Sequence, residues 1–248
     1  MNSEQIRKRR ANRYAILRTI HFLGPVQRGF LSEHCGIRKN SVTSITAELL
    51  ASGIIREQEP GAFRSPLLLA ADSHWVAAAA VVADRGLFGR VFADGRVEGV
   101  HELPLPARKG PDAIVSMLSE GLGHVLRSVP QGKLLGCGIA LPGLVDPGDG
   151  LLLRSVNLSI RVPIPVASLV ERELHCPVRI DNDARSQLWG CFWFDGLGAE
   201  SENLLYLSVH EGIGCALMSR GHLVLGEQFG AGEIGHLRAG HSDRLCRC

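Results

Sequence analysis

The 248 residues contain no run of eighteen consecutive apolar residues, which argues against a hydrophobic membrane-spanning helix. The first stretch, Met1 to Arg13, is polar and basic and lacks the apolar centre of a secretory signal, so none is expected. Cysteine is sparse: seven residues, an odd and scattered set. That usage suits a reducing cytoplasm, with buried thiols and a single metal site. Intrinsic disorder is excluded by what is there, 45% hydrophobic residues against 21% charged. The length accommodates one large domain, or a small one joined to a medium one.

Charge divides the chain. Residues 1–71 hold eleven Lys and Arg against five Asp and Glu, while residues 72–248 hold sixteen against twenty. A basic head on an acidic body is the layout of a nucleic-acid-binding unit carried by a regulatory one. The alternative is a solvated basic tail. The expected division is a DNA-binding domain over residues 1–71 and a second domain over 72–248.

In the head, Ile16, Leu17, Ile20 and Leu23 recur at helical spacing and Gly24-Pro25 stops that helix. A short second helix fits Gln27 to Cys35, with Phe30 and Leu31 inward and Gly36 as its stop. A third fits Arg38 to Ser52 around the stripe Val42, Ile45 and Leu49. This is the helix-turn-helix order. The outward positions of the third helix are small, polar or basic, and no acidic residue occurs before Glu48. Arg38, Lys39, Asn40, Ser41, Thr43 and Ser44 are therefore the candidates to reach phosphates and base edges in a major groove. Two short strands follow around a tip containing Pro60-Gly61 and Arg64, a wing in which Arg64 is a candidate backbone or minor-groove contact. A basic arm of Arg7, Lys8, Arg9, Arg10 and Arg13 points the same way. The competing reading is a three-helix packing module with no nucleic acid.

The body reads as three strands (Val76 to Val82, Leu87 to Ala93, Val97 to Leu103), a helix from Pro111 to Val129 and a buried strand from Leu134 to Leu141. Helix Pro165 to His175, strand Val178 to Asp181, helix Ala184 to Trp193 and strands Leu204 to Val209 and Cys215 to Met218 follow. A meander followed by strand-helix alternation implies an α/β domain with a mixed sheet. Ligand loops in such sheets lie beyond strand C-termini. The polar clusters there are Pro142-Gly143, Asp181-Asn182-Asp183 and Gly212-Ile213-Gly214. Asp181 to Asp183 also fits an ordinary strand-end turn, and Glu233 with His236 fits a solvated one. His236, Cys246 and Cys248 are three candidate ligands for tetrahedral zinc. With structural zinc usually four-coordinate, the fourth ligand is expected downstream and the chain is expected to stop inside this motif.

Leu141-Pro142-Gly143-Leu144-Val145-Asp146, Ile180-Asp181-Asn182-Asp183-Ala184 and Gly232-Glu233-Ile234-Gly235-His236 with Cys246-Arg247-Cys248 together resemble the ROK family of repressors, open reading frames and sugar kinases, in its regulator branch. The resemblance runs from about Arg13 to Cys248. It implies an α/β fold: an N-terminal winged helix-turn-helix plus an actin-like (ribonuclease-H-like) sugar kinase-type domain whose second lobe is incomplete. It also implies that Asn157, Asn182, Asp183, Glu233 and His236 bind a sugar, that Asp183 is the general base in the kinase branch, and that His236, Cys246 and Cys248 ligate zinc.

Two features depart from the kinase pattern. The phosphate loop D-x-G-x-T reads Asp84-Arg85-Gly86-Leu87-Phe88, with Phe88 where the hydroxyl belongs. The G-x-G-x-G loop reads His210-Glu211-Gly212-Ile213-Gly214, and Glu211 sets a negative charge near phosphates. No ATP use is therefore expected. The leading expectation is a cytoplasmic, sugar-responsive repressor binding operator DNA as a homodimer or higher oligomer, with a sugar or sugar phosphate as effector. The other readings are a sugar kinase with an added head and a non-sensing remnant.

Overall fold

The computed structural model describes residues 3–62, 64–127, 131–209 and 212–238. The chain forms two compact units. One holds Met1–His74 with the short segments Phe92–Asp94 and Gln131–Lys133; the other holds Trp75–Val91, Gly95–Pro130 and Leu134–Cys248.

The first unit contains helices α1 (Ser3–Leu23), α2 (Arg28–His34) and α3 (Lys39–Ala51), then strands β1 (Ile55–Glu57) and β2 (Leu67–Leu69). Ile16 and Ile20 of α1, Leu31 of α2, and Val42, Ile45 and Leu49 of α3 meet in one core with Ile55 and Leu67. The i, i+3, i+4 and i+7 spacing of the α3 residues puts them on one helical face, so its other face stays in solvent. α1 ends at Leu23, and at Gly24, which follows it, a Cβ would stand 2.4 Å from the Ile20 carbonyl oxygen. Phe30 departs from expectation: it is 43% exposed and its ring stacks on His34. A two-turn helix presents too narrow a face to bury both Phe30 and Leu31, and Leu31 takes the core. β1 and β2 pair antiparallel, Ile55 with Leu69 through Glu57 with Leu67. The ribbon is fixed to the helices by the bridge between Val26 and Leu67 and by the Arg28–Glu57 ion pair at 2.9 Å. That guanidinium, with the Gly61 amide, holds the Glu57 carboxyl below its ordinary range.

The second unit is built on a five-stranded mixed sheet. It comprises β3 (His74–Val82), β4 (Arg85–Phe92), β5 (Val97–Pro104), β6 (Lys133–Leu141) and, after a small hairpin, β9 (Val178–Asn182). The strand order is β5-β4-β3-β6-β9, with β4 antiparallel to β5 and β6 parallel to β9. Helices α4 (Pro111–Arg127) and α5 (Val166–Leu174) pack on each other and on β5 and β9. Phe88 lies at the centre of this core, 1% exposed, with its ring against Gly86, Gly121 and His101. A Cβ at Gly121 would meet that ring at 2.4 Å, so the aromatic occupies the space a helix side chain would need. The intervening hairpin β7 (Leu144–Asp146) and β8 (Leu151–Arg154) had no counterpart in the sequence reading, its strands being three and four residues long. Helix α6 (Asp183–Trp193) leaves β9 directly, followed by α7 (Leu197–Glu200). It packs on a second sheet of β10 (Leu204–Val209), β11 (Ile213–Ser219) and β12 (His222–Leu223), in that order. Among the described residues, no helix is long and apolar enough to cross a membrane.

Phe88→Ala is expected to lower stability by about 3–5 kcal/mol, because it removes a ring and leaves a cavity ringed by two glycines that cannot refill it. A shift of the urea midpoint with an unchanged slope would measure it.

Candidate functional site

Strand β9 runs out of the sheet beside the C-terminal end of β6, where Leu141 pairs with Asn182. The next residues after β6 turn sharply: Gly143 has φ +120°, and a Cβ there would stand 2.3 Å from the Arg154 carbonyl oxygen. Only glycine fits such a close backbone approach. Asn182 joins three pieces of chain at this point. Its Nδ2 donates to the Gly143 carbonyl oxygen at 2.9 Å and to Asp183 Oδ1 at 2.8 Å. Its Oδ1 accepts from the Arg185 backbone amide at 3.1 Å, which caps the N-terminus of α6. Asp183 is thereby set in the first turn of α6, its Oδ1 also accepting from the Ala184 amide at 2.9 Å.

A layer of charge lies directly beneath. Arg185 is 2% exposed, its Nε is 2.6 Å from Asp181 Oδ1, and its Nη2 donates to the Val145 carbonyl oxygen at 2.7 Å. The contact with Asp181 is an attraction of charges rather than an aligned hydrogen bond, since Nε lacks a geometrically sound acceptor. Burial pushes the Asp181 carboxyl above its ordinary value, and Arg185 offsets part of that. Burial also raises Asp183, and the negative charge of Glu233 adds to the rise.

Glu233 reaches Asp183's surroundings because its loop is seated on β11 by glycines. A Cβ on Gly232, at φ +92°, would stand 2.1 Å from the Cys215 carbonyl oxygen, and one on Gly235 would stand 2.6 Å from that of Ile213. Gly214 of the same strand faces Ala184, whose Cβ lies 3.5 Å from where Gly214 would carry its own. The 3-10 turn Ile234–His236 brings His236 Nε2 within 3.5 Å of Glu233 Oε2. Both side chains are about half exposed. Asn182, Asp183 and Glu233, with His236 at its side, therefore form one polar cluster. Asn157 is placed in the turn closed by the Ser155–Ile160 bridge, exposed, with its backbone oxygen accepting from Lys109 Nζ at 2.7 Å. A cavity of about 720 Å³ elsewhere in this unit is lined largely by Ala78, Ala80, Leu87, Val100 and Trp189 and contains none of these predicted ligands.

At the position of the phosphate loop, Arg85 is engaged by Asp84 at 3.0 Å and Glu102 at 2.9 Å, and Phe88 is in the core. His210 and Glu211 of the other loop lie outside the described residues, as do Cys246 and Cys248. Among the described residues no three His, Cys, Asp or Glu side chains gather as a metal site. The anchoring roles of Gly143, Val145 and Arg185 escaped the sequence reading. The signal available for them was a positive residue one turn after a strand-end aspartate.

In the first unit, Lys39, Asn40, Thr43 and Ser44 stand on the exposed face of α3, with Ser41 half-buried and Arg38 exposed just before it. The Thr43 hydroxyl donates back to the Lys39 carbonyl oxygen at 3.0 Å. Arg9 of α1 reaches across to the same face, donating to Ser44 Oγ at 3.3 Å and forming an ion pair with Glu48. Arg64 is exposed between β1 and β2, at φ +63°.

Asp183→Asn keeps the acceptor oxygen for Asn182 and Ala184 while removing a buried charge, and is expected to raise the thermal midpoint at pH 7. The native carboxyl binds its proton more tightly folded than unfolded, so this group costs stability as pH rises from the unfolded value of about 3.9 through the raised folded one, and nothing below both. The gap between variant and wild type should therefore close as pH falls to about 4, as thermal melts across pH would record.

A sequence model of the ROK family matches residues 89–248. The chain is 29% identical over 244 residues to a putative xylose repressor of Caldicellulosiruptor sp. (strain Rt8B.4), covering 96% of this chain and 61% of that protein. Its fold matches that of a solved ROK family transcriptional regulator described as a homolog of the E. coli MLC protein, with a TM-score of 0.82 at 19% identity over 96% of this chain and 62% of that one. It also matches a ROK family glucokinase from Streptomyces griseus, with a TM-score of 0.60 at 22% identity over 67% of this chain and 51% of the other. The chain thus spans about three fifths of the length of the repressor and regulator it resembles. Since the family model covers well over half of its residues, this chain belongs to the ROK family.

Proposed function

We propose that the protein is a sugar-responsive, DNA-binding transcriptional repressor of carbohydrate genes. The observation that carries this reading is a contrast within one unit. Asn182 and Asp183 are hydrogen-bonded to each other with Glu233 close enough for its charge to act on Asp183, while Phe88 is sunk in the core and Arg85 is ion-paired where a kinase would cradle phosphate. A site that keeps sugar-binding groups and lacks phosphate-binding ones senses rather than phosphorylates. The repressor name of the relative at 29% identity supports the same reading.

In this reading the first unit is a winged helix-turn-helix domain. Helix α3 enters the major groove with Arg38, Lys39, Asn40, Ser41, Thr43 and Ser44 toward the DNA, while Arg64 on the β1–β2 tip and the basic residues of α1 meet phosphates. Such a reader works as a homodimer on a two-fold operator. In the second unit, Asn157, Asn182, Asp183, Glu233 and His236 hydrogen-bond the hydroxyls of a sugar or sugar phosphate. A sugar that binds one arrangement of the dimer better than another shifts the population and so the DNA affinity. His236, Cys246 and Cys248 offer one imidazole and two thiolates, a donor set that suits zinc. Bound metal would hold the sugar loop, with the other His236 ring nitrogen turned to the sugar.

Fluorescence anisotropy on DNA upstream of its own gene, at physiological salt, tests the reading. Tight binding that xylose, a hexose or an amino sugar changes several-fold is expected. Binding that no sugar changes would remove the sensing role, and ADP release with a hexose would favour a kinase instead. Replacing Lys39 and Asn40 with Ala should weaken operator binding at least tenfold, and Asp183→Ala should abolish the sugar response with DNA binding intact. Metal analysis should find less zinc in Cys246→Ser than in wild type; equal zinc would take Cys246 out of the metal site.

A further inference from the structure

Cys137 lies on β6 and Cys176 in the turn between α5 and β9, and their sulfurs are 3.2 Å apart. The contact is built rather than incidental, because the backbone on both sides is fixed. The Cys137 amide donates to the Pro177 carbonyl oxygen at 2.7 Å. Gly136, at φ +145°, has no Cβ where one would stand 2.5 Å from that same oxygen, which lets the two segments come this close. On the other side, α5 ends in a left-handed His175, and Glu171 Oε1 accepts from the Val178 amide at 3.2 Å. The turn carrying Cys176 is therefore pinned on both flanks, and its thiol is directed at the other. Cys137 is buried and Cys176 half-buried, so an oxidant from solvent meets Cys176 first.

We propose that Cys137 and Cys176 are a redox-modifiable pair that closes to an intrachain disulfide when a hydroperoxide reaches Cys176. In the first step the Cys176 thiolate attacks the peroxide: an S–O bond forms, the O–O bond breaks, and hydrogen peroxide leaves as water once the displaced oxygen takes a proton. In the second, the Cys137 sulfur attacks the sulfenic sulfur, the S–S bond forms, the S–O bond breaks, and the departing hydroxide takes the Cys137 proton as a second water. Two thiols are oxidised and one peroxide is reduced. Burial, with Cys176 beside it, pushes the Cys137 thiol up, so it is not the first to react; it resolves because its sulfur stands 3.2 Å from that of Cys176.

The consequence falls on the β6–β9 ladder. Cys137 pairs with Val178 at one end, and Leu141 with Asn182 at the other. Four residues at about 3.3 Å each separate the two ends, roughly 13 Å. The disulfide would tie β6 to the turn that leads into β9 without entering the polar cluster, and its formation does not depend on what that cluster binds.

The test uses the full chain, treated with hydrogen peroxide, alkylated and mapped by mass spectrometry. Expected is a peptide pair joined through Cys137 and Cys176, two hydrogens lighter than the reduced pair and restored by dithiothreitol, with a thermal midpoint several degrees above that of the reduced protein. Cys176→Ser should lose the cross-link and leave Cys137 unmodified in the folded protein. Wild type in which Cys176 proceeds to sulfinic acid while Cys137 stays a free thiol would overturn the proposal. So would a cross-link that forms only after denaturation, or none at all. The mapping of wild type requires no variant, so a misfolded variant would leave the test decisive.

Discussion

Asn182 is the residue on which the polar cluster depends. One amide side chain donates to the turn after β6, donates to the neighbouring carboxylate and accepts from the first turn of α6. These bonds are partly shielded from water, where an unmade one costs more than a made one contributes. The end of a strand, the start of a helix and a turn from another strand are thereby fixed to one another by a single residue. Asp183 takes its position from that arrangement, its Oδ1 accepting from Asn182 Nδ2 and from the Ala184 amide.

The second constraint is the close seating of the Glu233 loop on β11. Gly232 and Gly235 permit an approach to the strand's carbonyl oxygens that a Cβ would block. The Glu233 carboxylate is brought toward Asp183 by this close packing, and its negative charge adds to the rise that burial imposes on the Asp183 carboxyl. A site of this kind gains by meeting a neutral ligand rich in hydroxyl donors, which can serve both carboxylates without adding charge. Below it, the Asp181–Arg185 pair keeps a buried cation and anion close to balance, so the upward shift of the Asp181 carboxyl reflects burial more than an unmet charge.

Phe88 connects the body's packing to its chemistry. Phe88 is a core residue on which Gly86, Gly121 and His101 are arranged. Restoring a threonine there would remove a ring from the core as well as supply a hydroxyl. A substitution at Phe88 is therefore first a change of core packing. On the first unit, the Arg9–Glu48 pair shows a comparable economy: the basic arm of α1 lies against the outward face of α3, neutralising the one acid on that face.

Periodicity and turn residues in the sequence sufficed for the elements that bury a broad face. The α3 stripe, the three-strand meander, β6 and the β9–α6 junction all lie where apolar spacing and Gly, Pro or Asp placed them, since burial of such faces is what local patterns encode. The identity of the polar cluster was legible as well, because Asp181-Asn182-Asp183 and the Gly-Glu-Ile-Gly-His stretch are contiguous in the chain. What the tertiary structure decided was every relation between distant segments: that Asn182 bonds to Gly143, that Arg185 is buried against Asp181 and Val145, that Glu233 comes beside Asp183, and that Cys137 meets Cys176. It also decided that Phe30 yields the core to Leu31, and that residues 144–154 close a hairpin too short to show a period. The physical reason is the same in each case: a side chain's partner across tens of residues is selected by packing and by the demand that buried polar groups be paired, and neither leaves a local pattern.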